Sequence, residues 1–156
     1  MKKYIFAVIA ALVLNSCVGM DSTYRPMKDF TGGYGEEKIK NDVYVVFFDG
    51  NGFTSKATAK KYFLRRSSAL TLQNGFSCFK ILDQKFTLSQ NFMSQAPEVV
   101  GSKYYYKTSA ELSETEKNTP DENSIVGVIQ IFPDSAPPPK DCYNAKTTLE
   151  ATKSEN

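Results

Sequence analysis

The 156-residue sequence contains no histidine, and this absence disfavours several kinds of site. Histidine is the side chain most often used as a general base near neutral pH and the commonest metal ligand. The chain has only three cysteines, so a structural zinc site would need mostly carboxylate ligands, unlike the cysteine- and histidine-based sites that zinc prefers. No paired-carboxylate motif stands out either. We therefore expect no metal, no cofactor and no catalytic residue.

An excess of positive charge is also lacking. The chain has 19 basic and 17 acidic residues, and Lys2 and Lys3 belong to a predicted leader, so the mature chain carries no formal net charge. A nucleic-acid-binding protein usually has a basic excess or a basic stripe, and we expect no nucleic-acid partner. The 9 Tyr and 11 Phe residues are enough to build a folded core, which argues against a disordered chain.

The first 17 residues have the pattern of a lipoprotein leader. Two lysines precede an apolar run of 11 residues at 4–14, whereas a helix needs about 20 apolar residues to cross a bilayer. The sequence Leu-Asn-Ser-Cys at 14–17 resembles a bacterial lipobox, which predicts a signal peptide at 1–16 and a lipid on Cys17. Val18 in place of aspartate favours the outer membrane, with the protein facing the periplasm. The alternative is an ordinary signal peptide with Cys17 structural or incidental.

The other two cysteines form a candidate disulfide. Removing Cys17 leaves Cys78 and Cys142, an even number for an oxidising compartment. A bond between them would close a loop of 64 residues and, in the chain-entropy model, stabilise the fold by about 4 kcal/mol. Two buried thiols that never meet are the alternative.

The hydrophobic pattern predicts a single α+β domain. We expect a tether at 17–31, the domain at 32–152 and a frayed tail at 153–156. The predicted strands cover 43–48, 76–82, 99–107 and 124–132, and the predicted helices cover 54–73 and about 141–150. They suggest a mixed sheet of about four strands, with the long helix forming a parallel crossover between the first two strands. A turn is expected at Gly32 to Gly35 and a polar loop at 109–123. If the long helix covers one face of the sheet, Cys78 points to the other face, which the C-terminal segment bearing Cys142 could cover.

One apolar stripe marks the core-facing side of the long helix. Its members are Ala59, Tyr62, Phe63, Ala69 and Leu70, and the residues placed off it include Lys60, Lys61, Arg65, Ser67, Ser68 and Thr71. Arg66 lies in the middle of this stripe. A buried arginine needs several hydrogen-bond partners or must extend its charge to solvent.

Two hypotheses for Arg66 remain open. In the first, Arg66 is structural and joins the helix to backbone carbonyls or to an acid on a strand. In the second, it contacts an anion or another ligand in a pocket beside Tyr62 and the turn that contains Asn51. The glycines and asparagine of that turn, at 49–52, are better explained by a tight strand-to-helix connection than by a calcium or phosphate site.

Three stretches of sequence resemble a family of uncharacterised proteobacterial lipoproteins. They are GGY at 32–34, FDGNGFTS at 48–55 and RSSALTLQNGF at 66–76. The family pattern is roughly GGY, a strand, GN-aromatic-TS, and a helix of the type LLRAAELTLE-x-GY. The resemblance covers about residues 31–82 and implies a location and a fold but no activity. The glutamate of the family's Arg-Ala-Ala-Glu is replaced here by Ala69, so no role of that pair carries over.

Three classes of function follow from these features. The first is a non-catalytic, lipid-anchored envelope protein that binds or braces an envelope protein. The second is a small-ligand or glycan-binding module that uses Arg66 and exposed tyrosines, with Tyr104 and Tyr106 on one strand face as candidates. An enzyme is the third and the least favoured.

Overall fold

The computed structural model describes residues 23–28, 32–87, 98–100, 103–105, 123–133 and 139–153. In chain order the elements are β1 (Gly33–Lys38), β2 (Val43–Asp49), α1 (Lys56–Gln73), β3 (Cys78–Thr87), β4 (Glu98–Val100), β5 (Lys103–Tyr105), β6 (Ser124–Phe132), β7 (Tyr143–Asn144) and α2 (Ala145–Lys153). The predicted α+β class is confirmed. The leader, including Cys17, lies outside the described residues.

Five of the strands form one sheet in the order β1-β2-β6-β3-β7. Every hydrogen-bonded pair in this sheet is antiparallel. Strands β2 and β3 run parallel to each other, as a crossover requires, but β6 lies between them. The sheet is therefore antiparallel where a mixed sheet was expected, because the strand that completes it comes from a distant part of the chain.

Strand β1 was not expected from the sequence, where Gly32 to Gly35 indicated a turn. The strand pairs with β2 from Gly33 opposite Asp49 to Lys38 opposite Tyr44. A Cβ atom at Gly35 would lie 2.3 Å from the ring of Phe47, so this glycine makes room for a cross-strand aromatic side chain. The long helix consequently connects the second and third strands, and not the first two.

Capping residues define both ends of helix α1, with Ser55 at the start and Asn74 and Gly75 at the end. Ser55 is the N-cap, and its hydroxyl accepts a hydrogen bond of 3.0 Å from the Thr58 amide. At the other end Gly75 has a φ of 77°, and the amides of Gly75 and Phe76 donate to the carbonyls of Leu72 and Thr71. This is a Schellman motif, which favours glycine at the left-handed position. The predicted helix 54–73 is confirmed to within two residues.

The main core lies between α1 and one face of the sheet. Its buried members are Tyr44, Val46, Phe48, Ala59, Phe63, Leu70, Phe79, Ile125, Ile129, Ile131 and Ala145. Phe63 packs directly on Gly127 of β6, where an added Cβ would be 2.8 Å from its ring. On the opposite face, Val43, Val45, Val126 and Val128 form a second buried cluster. Strand β2 is thus apolar on both faces because both faces are buried.

Helix α1 buries more of its surface than the predicted stripe. Ser67, Ser68 and Thr71, placed off the stripe by the sequence, are fully buried. Their hydroxyls donate to the carbonyls of Phe63, Leu64 and Ser67 at 2.7–2.9 Å, which satisfies them inside the fold. Helix α2 packs against α1, and this second contact explains why one stripe did not describe the buried surface.

The remaining elements differ from their predicted bounds in specific ways. Strand β6 matches its predicted range, whereas β3 extends five residues further than expected and has a register shift between Ile81 and Asp83. Leu82 lies at that irregularity and is 40% exposed. In place of the single predicted strand 99–107, the structure has two short antiparallel strands, β4 and β5, of which β4 begins one residue earlier at Glu98. The rest of that range and the expected loop up to 122 lie outside the described residues.

The C-terminal segment joins the edge of the sheet. Strand β7 pairs with β3, with Asn144 opposite Cys78. This arrangement places Cys78 and Cys142 at disulfide distance, with their Cα atoms 5.9 Å apart, in agreement with the expected pairing. Contrary to the prediction from the sequence, the Cys142 segment does not cover the second face of the sheet, because β7 pairs with the edge of β3 and extends the sheet at that side. Helix α2 follows at once and begins four residues later than predicted.

Candidate functional site

Arg66 pairs with an acid on the neighbouring strand. Its Nε donates to Oε2 of Glu36 at 2.8 Å, and its Nη2 donates to Oε1 at 2.5 Å. The side chains of Arg66 and Glu36 are 11% and 27% exposed. Two parallel charge-assisted hydrogen bonds fix the guanidinium plane and satisfy most of the charge within the protein.

Three tyrosines surround this ion pair. The Arg66 guanidinium lies over the ring of Tyr34 at 4.8 Å, and Tyr24 stacks on Tyr34 with ring centroids 4.4 Å apart. Tyr62 completes the tyrosine cluster, with its ring centroid 5.5 Å from that of Tyr24. The guanidinium of the neighbouring Arg65 lies over the ring of Tyr24, 4.1 Å from the ring centroid. Each arginine therefore contacts an aromatic ring of the cluster, an arrangement that stabilises a partly desolvated cation.

Burial changes the acid–base properties of the cluster. It raises the pKa of Tyr24 to about 12, with a further contribution from the charge that Tyr34 would carry. The charges of Arg66 and Arg65 act in the opposite direction. Burial by itself would lower the pKa of Arg66, but the hydrogen bonds and the charge of Glu36 outweigh it and the pKa is raised. Because both pKa values are raised, Tyr24 stays neutral and Arg66 stays charged at neutral pH.

The cluster is completed by a segment that was expected to be tether. The Tyr34 amide donates to the Arg25 carbonyl, and the Met27 amide donates to the Tyr34 carbonyl, both at 2.8 Å. These bonds form a parallel bridge between Pro26 and Tyr34. The ordered domain therefore includes residues 24–27, and the expected tether at 17–31 is shorter than its polar sequence indicated.

An open groove lies beside the ion pair, with a volume of about 580 Å³. Its lining consists of Pro26, Met27, Tyr34, Gly35, Glu36, Phe47 and Arg66. Its surface combines polar and apolar atoms, and the only charged side chains in this lining are those of the Arg66–Glu36 pair. Because Glu36 already occupies the edge of the guanidinium formed by Nε and Nη2, an anion binding through that edge would have to displace a carboxylate held by two bonds. The geometry favours the structural role of Arg66.

Asn51 belongs to a different hydrogen-bonded unit. Its side-chain oxygen accepts from the Phe53 amide at 3.0 Å and from the Thr54 hydroxyl at 3.1 Å. The Asn123 side chain donates to the Asn51 carbonyl at 2.8 Å, which fastens the turn to the start of β6. Glu36 pairs with Val46, three residues back along β2 from Asp49. The sequence predicts one pocket formed by Asn51, Tyr62 and Arg66. In the structure Tyr62 and Arg66 belong to one cluster, connected through Tyr24, and Asn51 is not part of it.

The described part of the chain offers little else for catalysis or metal binding. Within it, no group of three His, Cys, Asp or Glu side chains is placed to hold a metal ion. Cys78 and Cys142 are bonded to each other. A search of the same residues for a helix long and apolar enough to span a membrane finds none. The side chain of Tyr104 is not described, and Tyr106 lies outside the described residues.

Sequence reasoning did not identify three of the residues at this site. Glu36 and Tyr34 were missed because β1 was not recognised as a strand; once it is, Tyr34, Glu36 and Lys38 share one face by simple alternation. Tyr24 was missed because an isolated aromatic in a polar stretch gives no periodic signal. The sequence therefore predicted that Arg66 could pair with an acid on a strand, but it did not identify that acid as Glu36.

Comparison with known proteins adds no assignment. The chain matches no protein-family model, no curated protein and no solved structure. The resemblance to proteobacterial lipoproteins stays a prediction from three sequence motifs.

Proposed function

We propose that this protein is a lipid-anchored, non-catalytic component of the bacterial cell envelope. The observation that carries the proposal is the leader, in which two lysines, an apolar run of 11 residues and a lipobox-like Leu-Asn-Ser-Cys follow one another. A membrane attached through Cys17 would be its first partner. Several acyl chains buried at about 0.8 kcal/mol per CH₂ would make the attachment effectively permanent.

The folded domain supports an interaction role over a catalytic one. Arg66, the candidate functional residue with the most unusual position, has its charge satisfied by Glu36. Anchoring raises the effective concentration of the domain at the membrane surface, so that weak contacts with an envelope protein suffice for function. Outer-membrane attachment facing the periplasm is proposed from Val18 at the position after the lipidated cysteine.

The alternative is a small-ligand or glycan-binding module. The open groove beside Tyr34 and Arg66 favours it, because an aromatic ring next to a polar pair is a usual surface for sugar binding. To separate this alternative from the interaction role, the melting temperature of the protein is measured at increasing concentrations of envelope glycans and of inorganic anions. A saturable rise in melting temperature that is lost in Phe47→Ala but kept in Lys80→Ala would favour the ligand-binding module.

The first experiment is an intact-mass measurement on protein extracted from the membranes of its own host or a related one. We expect a chain that starts at Cys17 and carries a diacylglyceryl group and an amide-linked acyl group. Reduction should add two hydrogens, which reports the Cys78–Cys142 bond. The control is Cys17→Ala, which should keep its leader and lack lipid. An unlipidated wild-type chain would contradict the proposed anchoring.

A further inference from the structure

We propose that the turn bearing Phe53 contacts the phospholipid surface to which the chain is anchored. This inference rests on the proposed lipid anchor and adds the orientation of the domain on the membrane. Phe53 is 65% exposed, the most exposed large hydrophobic side chain among the described residues. Isolated exposed aromatic residues are common on protein surfaces. A role for Phe53 in membrane contact therefore has to be argued from the rigidity of its turn and from the place of the turn in the fold.

The turn holds Phe53 in place. The Phe53 amide donates to the Asn51 side chain, and the Thr54 amide donates to the Asn51 carbonyl at 2.9 Å. Thr54 is buried and its hydroxyl accepts from the Asn51 amide at 3.0 Å. Behind the turn, the Ser124 hydroxyl bonds to the Gly50 amide and to the Asp49 carboxylate. The exposed ring therefore projects from a rigid support.

Phe53 lies at the end of the sheet from which the N-terminal chain departs. The turn follows Asp49, which pairs with Gly33 at the first position of β1. Residues 25–27 run parallel to β1 beside Tyr34, so the chain before Arg25 heads toward that same end. The start of the described chain, at Thr23, and the aromatic turn thus lie toward the same end of the sheet.

The remaining tether is short. Five residues separate Cys17 from Thr23, and the six Cα-to-Cα steps between these two residues span about 20 Å even when fully extended. A lipid on Cys17 would consequently hold this end of the sheet close to the bilayer. Arg25 and Lys56 are exposed basic residues near the tether and the turn, and they complement an anionic phospholipid surface.

The sequence contains no tryptophan, so one substitution supplies a unique fluorescent reporter. The test uses full-length Phe53→Trp, processed in its host and reconstituted into vesicles of phosphatidylethanolamine and phosphatidylglycerol, with and without brominated acyl chains. The matched control is Leu72→Trp, which replaces a residue 38% exposed near the opposite end of α1. The helix rises about 25 Å from Lys56 to Gln73, beyond the short range of bromine quenching.

We expect Phe53→Trp emission to shift to shorter wavelength on vesicles and to be quenched by brominated lipid, while Leu72→Trp emission changes in neither way. Both variants should melt like the wild type. Unquenched Phe53→Trp on a chain whose mass shows the lipid would overturn the contact and leave the anchor standing. Equal quenching of both reporters would also overturn the proposed orientation. A chain without lipid on Cys17 would remove this inference together with the proposed function.

Discussion

The Arg66–Glu36 pair allows a quantitative test of whether Arg66 is a structural residue. The perturbations are Arg66→Met, which keeps most of the aliphatic volume, Glu36→Gln, and the double variant. A hydrogen bond to a charged group contributes about 1.5–3 kcal/mol when well formed, and exposed ion pairs contribute about 0–1 kcal/mol. With side chains 11% and 27% exposed and two bonds of 2.8 and 2.5 Å, the pair lies between these cases.

We expect a coupling free energy of about 1.5 kcal/mol between the two positions. Arg66→Met should lower the free energy of unfolding by about 2 kcal/mol, because it leaves Glu36 without its partner. Glu36→Gln should cost somewhat less, since the amide oxygen still accepts one hydrogen bond. The double variant should be little worse than Arg66→Met, because no group is then left without its partner.

The assay is urea unfolding of the four proteins, with equal denaturant slopes as the condition for comparing them. The matched control is the pair of Lys80 and Asp141, 3.6 Å apart with side chains 37% and 82% exposed, for which the coupling should be below about 0.5 kcal/mol. A coupling at Arg66–Glu36 as small as at the control pair would refute the structural interpretation. The arginine would then be free to serve a ligand in the groove.

Three further predictions follow from the described contacts. Gly127→Ala should lower the free energy of unfolding by about 1–3 kcal/mol, measured in urea, because a Cβ there lies 2.8 Å from the Phe63 ring and from a backbone oxygen; a neutral result would contradict the packing. Cys78→Ser with Cys142→Ser should cost about 4 kcal/mol or less, for a sequence separation of 64, and unchanged stability would mean that the bond adds nothing. The raised pKa of Tyr24, about 12 against 10.0, predicts stabilisation that is complete below pH 10.0 and lost as the pH rises to about 12. Between pH 10.0 and about 12, the melting temperature of Tyr24→Phe should therefore fall less steeply than that of the wild type. An equally steep fall in both proteins would count against a buried tyrosine.

Local signals in the sequence predicted the elements whose bounds depend on local chemistry. Ser55 at the start of α1 and Asn74-Gly75 at its end fix the helix with hydrogen bonds inside the segment itself. Strand β6 was found because six of its nine residues are Val, Ile or Phe, with apolar residues at both odd and even positions, as is typical of a strand buried on both faces.

Features that depend on distant partners were not predictable in the same way. The place of β6 between β2 and β3 depends on which strands pair most favourably in the complete sheet. The residue pattern of β2 or of β3 does not indicate this pairing. The glycines of β1 indicated a turn because their cause, the ring of Phe47 over Gly35, lies on another strand. For the candidate site, Arg66 could be singled out by its position on an apolar stripe, whereas its partner Glu36 required the register of β1.

The strand order also determines when the domain can form as the chain is synthesised. Strands β2 and β3 cannot complete the sheet with each other, because each needs a side of β6, and β6 ends at Phe132. A chain that emerges from its N-terminus must therefore deliver more than four-fifths of its 156 residues before the central strand arrives. Contacts of such long sequence separation slow folding and leave apolar strands exposed meanwhile. Folding of this protein is consequently a late event, completed after most of the chain has been synthesised.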